Sequence, residues 1–340
     1  MELENENILI FGGTGSLGKA LIRRLRDKNT LAIYSRDEAK HWTIKNQLKD
    51  QTGLTFFVGD IRDSNRVAEI CRKVNPTVII IASALKQVDT CEASPFESLQ
   101  TNTLGIRNVC ESVIALSHQL QNLHTVLLVS TDKACAPTNV YGMSKALAER
   151  LLTSYESFQT NVKFVAVRYG NVLESRGSII PLFKHQIETE VPLTVTDVRM
   201  TRFIMTLDQS IDLIENAISK AKSGQIWIPR IPAMKIIDLA NIFAKRSDSK
   251  VQVTGMRPGE KLHEDLVSEP ESIRTLNDNG HFIIESPFSA TSQSSELFNY
   301  TSNQDLLDAE ELESYLASLG IFGMELNDFL GREIEEIRGR

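Results

Sequence analysis

The chain has 340 residues, 41 % of them hydrophobic and 24 % charged, with a formal net charge of −7. That length and composition describe an ordinary globular protein of one large domain or two smaller ones. The acidic balance gives no electrostatic reason to expect nucleic acid, no apolar run approaches the roughly twenty residues of a membrane helix, and the acidic first six residues do not read as a signal peptide.

Residues 7–11 form a short apolar run that reads as a strand. Gly12, Gly13, Thr14, Gly15, Ser16, Leu17 and Gly18 follow at once, and helical periodicity continues through residues 19–25. Glycines at 12, 15 and 18 let the chain turn tightly, approach a pyrophosphate and pack a helix on a sheet, while the helix N-terminus offers N–H groups to phosphate. The strand at 31–35 ends in Ser35 and Arg36. A carboxylate there would suit the ribose hydroxyl of NAD, whereas a Ser-Arg pair accommodates the 2′-phosphate of NADP. Asp37 keeps NAD open, and NADP is the expected cofactor. Strands at 55–58 and 78–82 follow, with Asp60 placed to meet an adenine and Lys86 at a strand's carboxyl end. Asn102 is expected to open a long helix.

The stretch from Ser130 to Lys145 organises the chain. It follows the apolar run 126–129, which reads as a buried parallel strand, and so sets Thr131, Asp132 and Lys133 where open α/β sheets keep their ligands. Tyr141 and Lys145 lie four apart, on one face of the helix expected from about residue 142. An ammonium near a phenol favours the phenolate, which suits the tyrosine to take a proton from a hydroxyl. Beyond the strand at 163–167, Asn171, Ser175, Arg176 and Ser178 crowd donors into one loop. Thr196, Arg199 and Arg202, and then Arg257, Glu260 and Lys261, put arginines in loops that could clamp a diphosphate. Residues 288–304 read as an exposed connection containing Tyr300, residues 308–316 as an acidic amphipathic helix, and 331–340 as a charged tail. Cys71, Cys91, Cys110 and Cys135 lack metal-ligand spacing, the His residues are scattered, and no metal is expected. The thiols are expected to be reduced, in a cytoplasmic protein.

These motifs, in this order, resemble the extended short-chain dehydrogenase/reductase superfamily. They are most similar to its soluble UDP-N-acetylglucosamine 4,6-dehydratases that invert C5, a branch of the polysaccharide biosynthesis family. The resemblance runs from about residue 7 to about 330. It implies an α/β architecture: an NAD(P)-binding Rossmann fold with a doubly wound parallel sheet over 1–170, and a smaller mixed α/β UDP-sugar domain over 171–330. Residues 200–240 are left open as a return to the first. It also implies NADP, UDP-N-acetylglucosamine as substrate, and a homo-oligomer, hexamer or dimer. By resemblance, Tyr141 deprotonates the sugar 4-hydroxyl, Lys145 lowers the tyrosine pKa and holds the nicotinamide ribose, and Thr131 belongs to the same catalytic set. Lys133 is the base at C5 and Asp132 the acid at the departing 6-hydroxyl, with hydride removed from C4 and returned to C6. Relatives acting on unacetylated glucose carry Asp-Glu here, so Lys133 discriminates. Lys86, Asn171, Arg176, Thr196, Arg202, Arg257 and Glu260 match substrate-contacting positions. Asp60, Ile61, Ala82 and Asn102 match the cofactor side. A UDP-hexose 4-epimerase needs only the Tyr-Lys pair and is the alternative enzyme. A non-catalytic NADP-dependent binding or regulatory protein is the alternative of another class, against which the full catalytic set argues.

Overall fold

In the computed structural model, residues 3–48, 50–158, 161–173, 175, 178–288 and 297–324 are described. The β-branched and aliphatic runs read from the sequence become strands, most of them buried on both faces, with the edge strand at 54–58 partly exposed. β1 (Asn7–Phe11), β2 (Thr30–Ser35), β3 (Leu54–Val58), β4 (Val78–Ile81), β5 (Thr125–Val129) and β6 (Lys163–Val167) are parallel. β7 (Ile226–Pro229) adds parallel to β6, and the hairpin of β8 (Thr275–Asp278) and β9 (His281–Ile284) closes that side antiparallel. The hairpin turns on Asn279 and Gly280, whose φ values of 42° and 84° are the pair that a tight two-residue loop demands. The full order is β8-β9-β7-β6-β5-β4-β1-β2-β3. The order reverses between β1 and β4, and ligands of doubly wound sheets bind at the carboxyl ends of strands flanking such a reversal. Helices α1 (Ser16–Leu25), α2 (Glu38–Gln47), α3 (Ser64–Val74), α4 (Gly105–Ala115) and α5 (Val140–Ser154) connect the strands.

The chain divides into two compact units. The first comprises Met1–Tyr169, Asp208–Arg230 and Leu266–Asn299, and it holds the nine-stranded sheet. The chain thus returns to it twice, and the later return, which carries β8 and β9, was not anticipated. The second unit comprises Gly170–Leu207, Ile231–Asp265 and Tyr300–Arg340. Its strand Thr201–Met205 sits between Ala233–Lys235 and Asn171–Val172, and Leu193–Val195 pairs with Val251–Val253. Its core gathers Ile180 and Phe183 from one helix, Leu239 and Phe243 from another, and Leu312 and Leu316 from helix Ala309–Ser318. Asp308 caps that last helix by accepting from the N–H groups of Glu310 and Glu311.

Three expectations need correction. Asn102 does not begin an α-helix but lies inside a π-helical turn, Gln100–Leu104, ahead of α4. Arg202 is not in a loop, since it belongs to the buried central strand of the second unit. Tyr300 is not exposed but only 6 % accessible, and its hydroxyl bonds both the N–H and the carbonyl of Ile231 at 2.9 Å. Part of the connection at 288–304 and the tail at 331–340 lie outside the described residues. Among the described residues, no helix is long and apolar enough to cross a membrane.

Candidate functional site

The glycine-rich turn leaves β1 and starts α1. Gly12 has φ +82°, and a Cβ on it would stand 2.7 Å from the amide nitrogen of Ser83, after β4. A Cβ on Gly18 would stand 2.3 Å from the backbone of Gly13, so the helix can press onto the turn only with glycine there. Gly15 is the N-cap of α1 and no side chain caps the helix, which leaves its dipole and first turn, with Ser16 and Leu17, open to an anion. Thr14 is buried and donates to Ser35 Oγ at 3.1 Å. Ser35 Oγ in turn lies 2.7 Å from Nε2 of His41, a buried residue of α2 that the sequence reading missed. An i, i+6 Ser-His spacing across a helix start carries no recognisable signal.

Arg36 is exposed, 3.8 Å from the Asp60 carboxylate. Asp60 itself is forked by the Arg62 guanidinium at 2.7 and 3.0 Å. Burial raises the Asp60 carboxyl, but Arg62 and Arg36 outweigh it and hold the group below its ordinary value. Ile61 is buried, and Ala82 N–H donates to Phe11 O beside the glycine turn.

After β5, Thr131 N-caps a short turn, Asp132–Ala134. Asp132 is 1 % exposed, and its Oδ1 accepts from Thr131 Oγ1 at 2.9 Å and from Lys133 Nζ at 3.1 Å. Among the described residues, its Oδ2 and the Ser130 hydroxyl have no hydrogen-bond partner. A Cβ on Gly142 would meet the Lys133 carbonyl at 2.3 Å, so this glycine seats the first turn of α5 directly on the Asp132–Ala134 turn. Asn139 caps α5 through the Gly142 N–H. Tyr141 and Lys145 are both buried on this helix. Burial pushes the phenol up to about 12, against the pull of the Lys133 charge and a hydrogen bond with Thr131, while Asp132 opposes them. Lys133 is thus a cation that acts on the phenol from the neighbouring turn. The Lys145 ammonium donates to Val129 O at 2.7 Å, and burial brings its pKa down to about 8.

Asn102, expected on the cofactor side, is fully enclosed. Its Oδ1 accepts from Leu85 N at 2.8 Å, and its Nδ2 faces Leu85 O at 2.9 Å and Ser144 Oγ at 3.0 Å. It clamps the peptide just ahead of the exposed Lys86 and ties it to the helix of Tyr141. Arg168, at the end of β6, is also unanticipated. Its guanidinium bonds Glu149 of α5 at 2.6 Å and Glu271 at 2.8 Å, all three groups buried.

In the second unit, Asn171 opens a strand, and its Oδ1 has no partner among the described residues. Ser175 is half-buried, and Arg176 lies outside the described residues. Thr196 Oγ1 donates to Met200 Sδ at 3.4 Å. The Arg202 guanidinium is held by the carbonyls of Thr201 and Leu262 at 2.7 and 3.2 Å, with Glu264 3.7 Å away. Arg257 is exposed, and Glu260 accepts from its backbone N–H at 3.0 Å, closing the turn. Among the described residues, no cluster of His, Cys, Asp and Glu could hold a metal ion.

The chain matches the model of a family described as polysaccharide biosynthesis protein over residues 8–286. It is 35 % identical over 297 residues to a UDP-N-acetylglucosamine 4,6-dehydratase (inverting) of Campylobacter jejuni, covering 86 % of each chain. It is 38 % identical over 277 residues to a UDP-glucose 4-epimerase of Rickettsia bellii, covering 78 % of this chain and 79 % of that one. Among solved structures it is similar to Pen from Bacillus thuringiensis, with 34 % identity and a TM-score of 0.85, covering 94 % of this chain and 99 % of that one.

Proposed function

Since the chain belongs to the polysaccharide biosynthesis protein family, we propose that it is an inverting UDP-N-acetylglucosamine 4,6-dehydratase, a hydro-lyase that works with NADP. The observation that carries this reading is the pair of buried Asp132 and half-buried Lys133, 3.1 Å apart and acting on Tyr141. An oxidation or a 4-epimerisation has no use for an adjacent acid and base. Elimination of water requires both.

The glycine turn fits a pyrophosphate, because side chains at Gly12 or Gly18 would collide with backbone and the start of α1 is uncapped. Gly12, Thr14, Gly15, Ser16, Leu17 and Gly18 would hold it, Ser35 and Arg36 the 2′-phosphate, and Tyr141 and Lys145 the nicotinamide ribose. When bound, the oxidised nicotinamide supplies a hydride acceptor and a positive charge. That charge favours the phenolate of Tyr141, which takes the proton of the sugar 4-hydroxyl. A ketone at C4 acidifies the C5–H bond. The Asp132–Lys133 ion pair is a tautomer of the neutral pair, acid plus amine, that the next step needs. Lys133 then takes the C5 proton while Asp132 protonates the departing 6-hydroxyl, and the ion pair is restored without net proton exchange. The reduced cofactor would supply the hydride at C6; a solvent proton at the opposite face of C5, balanced by release of the proton held on Tyr141, would then give UDP-2-acetamido-2,6-dideoxy-β-L-arabino-hexos-4-ulose. The residues of the second unit at 171, 175, 176, 196, 202, 257 and 260 would hold the UDP-sugar.

Incubation with UDP-N-acetylglucosamine in deuterated water tests the reading. The expected product is a 4-keto-6-deoxy sugar nucleotide carrying deuterium at C5, lost in Lys133→Ala. The epimerase relative motivates the second reading, UDP-hexose 4-epimerisation. UDP-N-acetylgalactosamine as the sole product, or normal turnover by Lys133→Ala, would reject the dehydratase. We also infer a cytoplasmic homo-oligomer. The four cysteines are buried and free, and Phe96, Leu104, Met143 and Leu147 expose apolar surface on the helices around α5. Light scattering of the purified protein reads the oligomer.

A further inference from the structure

The string Thr14–Ser35–His41 lies where β1 and β2 end, and its last member, His41, has no part in the scheme above. We propose that His41 is a positioning residue for the cofactor 2′-phosphate, setting the direction of the Ser35 hydroxyl so that this phosphate is bound with uptake of a proton by the imidazole. The proposal rests on the NADP reading above.

The argument begins with the count of hydrogens. Thr14 Oγ1 donates to Ser35 Oγ at 3.1 Å, and Ser35 Oγ lies 2.7 Å from His41 Nε2. The serine has one proton to place. With His41 neutral and its proton on Nδ1, Nε2 is an acceptor, and the Ser35 O–H points inward to it. With a proton on Nε2, the imidazole donates to Ser35 Oγ and the serine proton turns outward. A phosphate dianion arriving at Ser35 and Arg36 needs that outward donor and gains from a nearby positive charge. It therefore selects the protonated imidazole.

The surroundings leave room for such a change. Burial is the main influence on His41 and holds its pKa below the ordinary value, with Lys45 adding to that and Asp37 opposing it. Asp37 is engaged by Lys40 at 2.9 Å, and Lys45 rides on the Phe56 ring of β3, which itself lies 5.4 Å from the imidazole. Arg36 and Asp60, 3.8 Å apart, Arg62 on the Asp60 carboxylate at 2.7 Å and Arg66 on the Val58 carbonyl at 3.2 Å carry the further charge at this end of β2 and β3. In the ligand-free protein the imidazole is thus neutral at pH 7, and a bound dianion moves its titration upward.

Calorimetric titration with 2′,5′-ADP and with 5′-AMP, in buffers of different ionisation enthalpy between pH 5.5 and 7.5, tests this without any turnover. Wild type should bind 2′,5′-ADP more tightly than 5′-AMP. Its affinity for the former should rise as pH falls, by at most about tenfold per pH unit for one linked proton. The phosphate's own ionisation, near pH 6, is shared by all variants, so differences between them report on the imidazole. His41→Gln, which keeps a hydrogen bond to Ser35 but cannot titrate, should retain the preference for 2′,5′-ADP and lose the extra proton uptake. Ser35→Ala, with His41 in place, should lose it too, and carries the test should His41→Gln fail to fold. Unchanged proton uptake in whichever variant carries the test overturns the role of His41. If wild type binds 2′,5′-ADP no better than 5′-AMP, the NADP reading falls first and takes the proposal with it.

Discussion

The ammonium of Lys145, held at 2.7 Å against the carbonyl of Val129, is a charge kept out of water. Its pKa, brought from 10.5 down to about 8 by burial, corresponds to about 3 kcal/mol of disfavoured charge. Between about pH 8 and 10.5 the unfolded chain binds a proton that the folded one does not, so wild-type stability rises with pH across that window. Lys145→Met removes the buried charge but leaves the Val129 carbonyl unpaired, which takes back roughly 1–2 kcal/mol. We expect the variant, free of cofactor, to melt about 2–4 °C higher than wild type at pH 7. The advantage should shrink above pH 8, and dehydration should be lost. Scanning calorimetry at pH 7 and pH 10 decides it, and a variant less stable than wild type at pH 7 would show that the ammonium is not strained. The Tyr-x-x-x-Lys spacing was legible because it is local. What the spacing could not reveal is that Lys133 also lies close to the phenol. That depends on Gly142 letting the Asp132–Ala134 turn approach α5, a contact between segments rather than within one.

Elements are held in place by groups whose meaning appears only after folding. Arg168 bonds Glu149 of α5, Glu271 and the carbonyl of Leu266, and so ties the helix bearing Tyr141 and Lys145 to the chain's second return to the sheet. Burial raises the Glu271 carboxyl, but the Arg168 charge and hydrogen bonds win and hold it well below the ordinary carboxylate range. The stability this supplies is present above the ordinary carboxylate value, about 4.5, and is lost as pH falls below it. Arg168→Met leaves two buried carboxylates facing each other and should remove about 3–5 kcal/mol at pH 7.5. In the variant those carboxylates favour protonation, so its deficit relative to wild type should narrow as the pH is lowered to 5. Urea unfolding at the two pH values measures both effects, and a deficit that does not vary with pH would contradict the account. Nothing local in the sequence pairs Arg168 with Glu149 or Glu271, which lie 19 and 103 residues away along the chain. The π turn holding Asn102 was equally hidden, since one extra residue per turn leaves the helical pattern almost intact, and its sign is the Leu85 peptide that the asparagine side chain grips.

At the scale of the molecule, the six parallel strands were readable because each is a continuous apolar run followed by a turn, the pattern of a strand buried on both faces. The second unit was less readable. Its strands are two to five residues long, and its buried Arg202 is bound by backbone carbonyls that no local pattern announces. The first unit is also assembled from three separate stretches of chain, which the sequence hinted at for one return only. That assembly makes a prediction for the isolated segment 1–169. It contains the glycine turn, Ser35, Arg36, His41, Asp132, Lys133, Tyr141 and Lys145. It lacks β7, β8 and β9, so the edge of β6 would be bare, a row of unpaired backbone groups on a hydrophobic strand. Arg168 would keep Glu149 but lose Glu271 and the Leu266 carbonyl. The segment should therefore aggregate or melt without cooperativity and should not bind 2′,5′-ADP, although it carries nearly every group expected to touch the cofactor. Size-exclusion chromatography and calorimetric titration of the segment beside the full chain settle the point. A monomeric segment with a sharp melt and unimpaired affinity would mean that the two returning segments contribute nothing to holding the site.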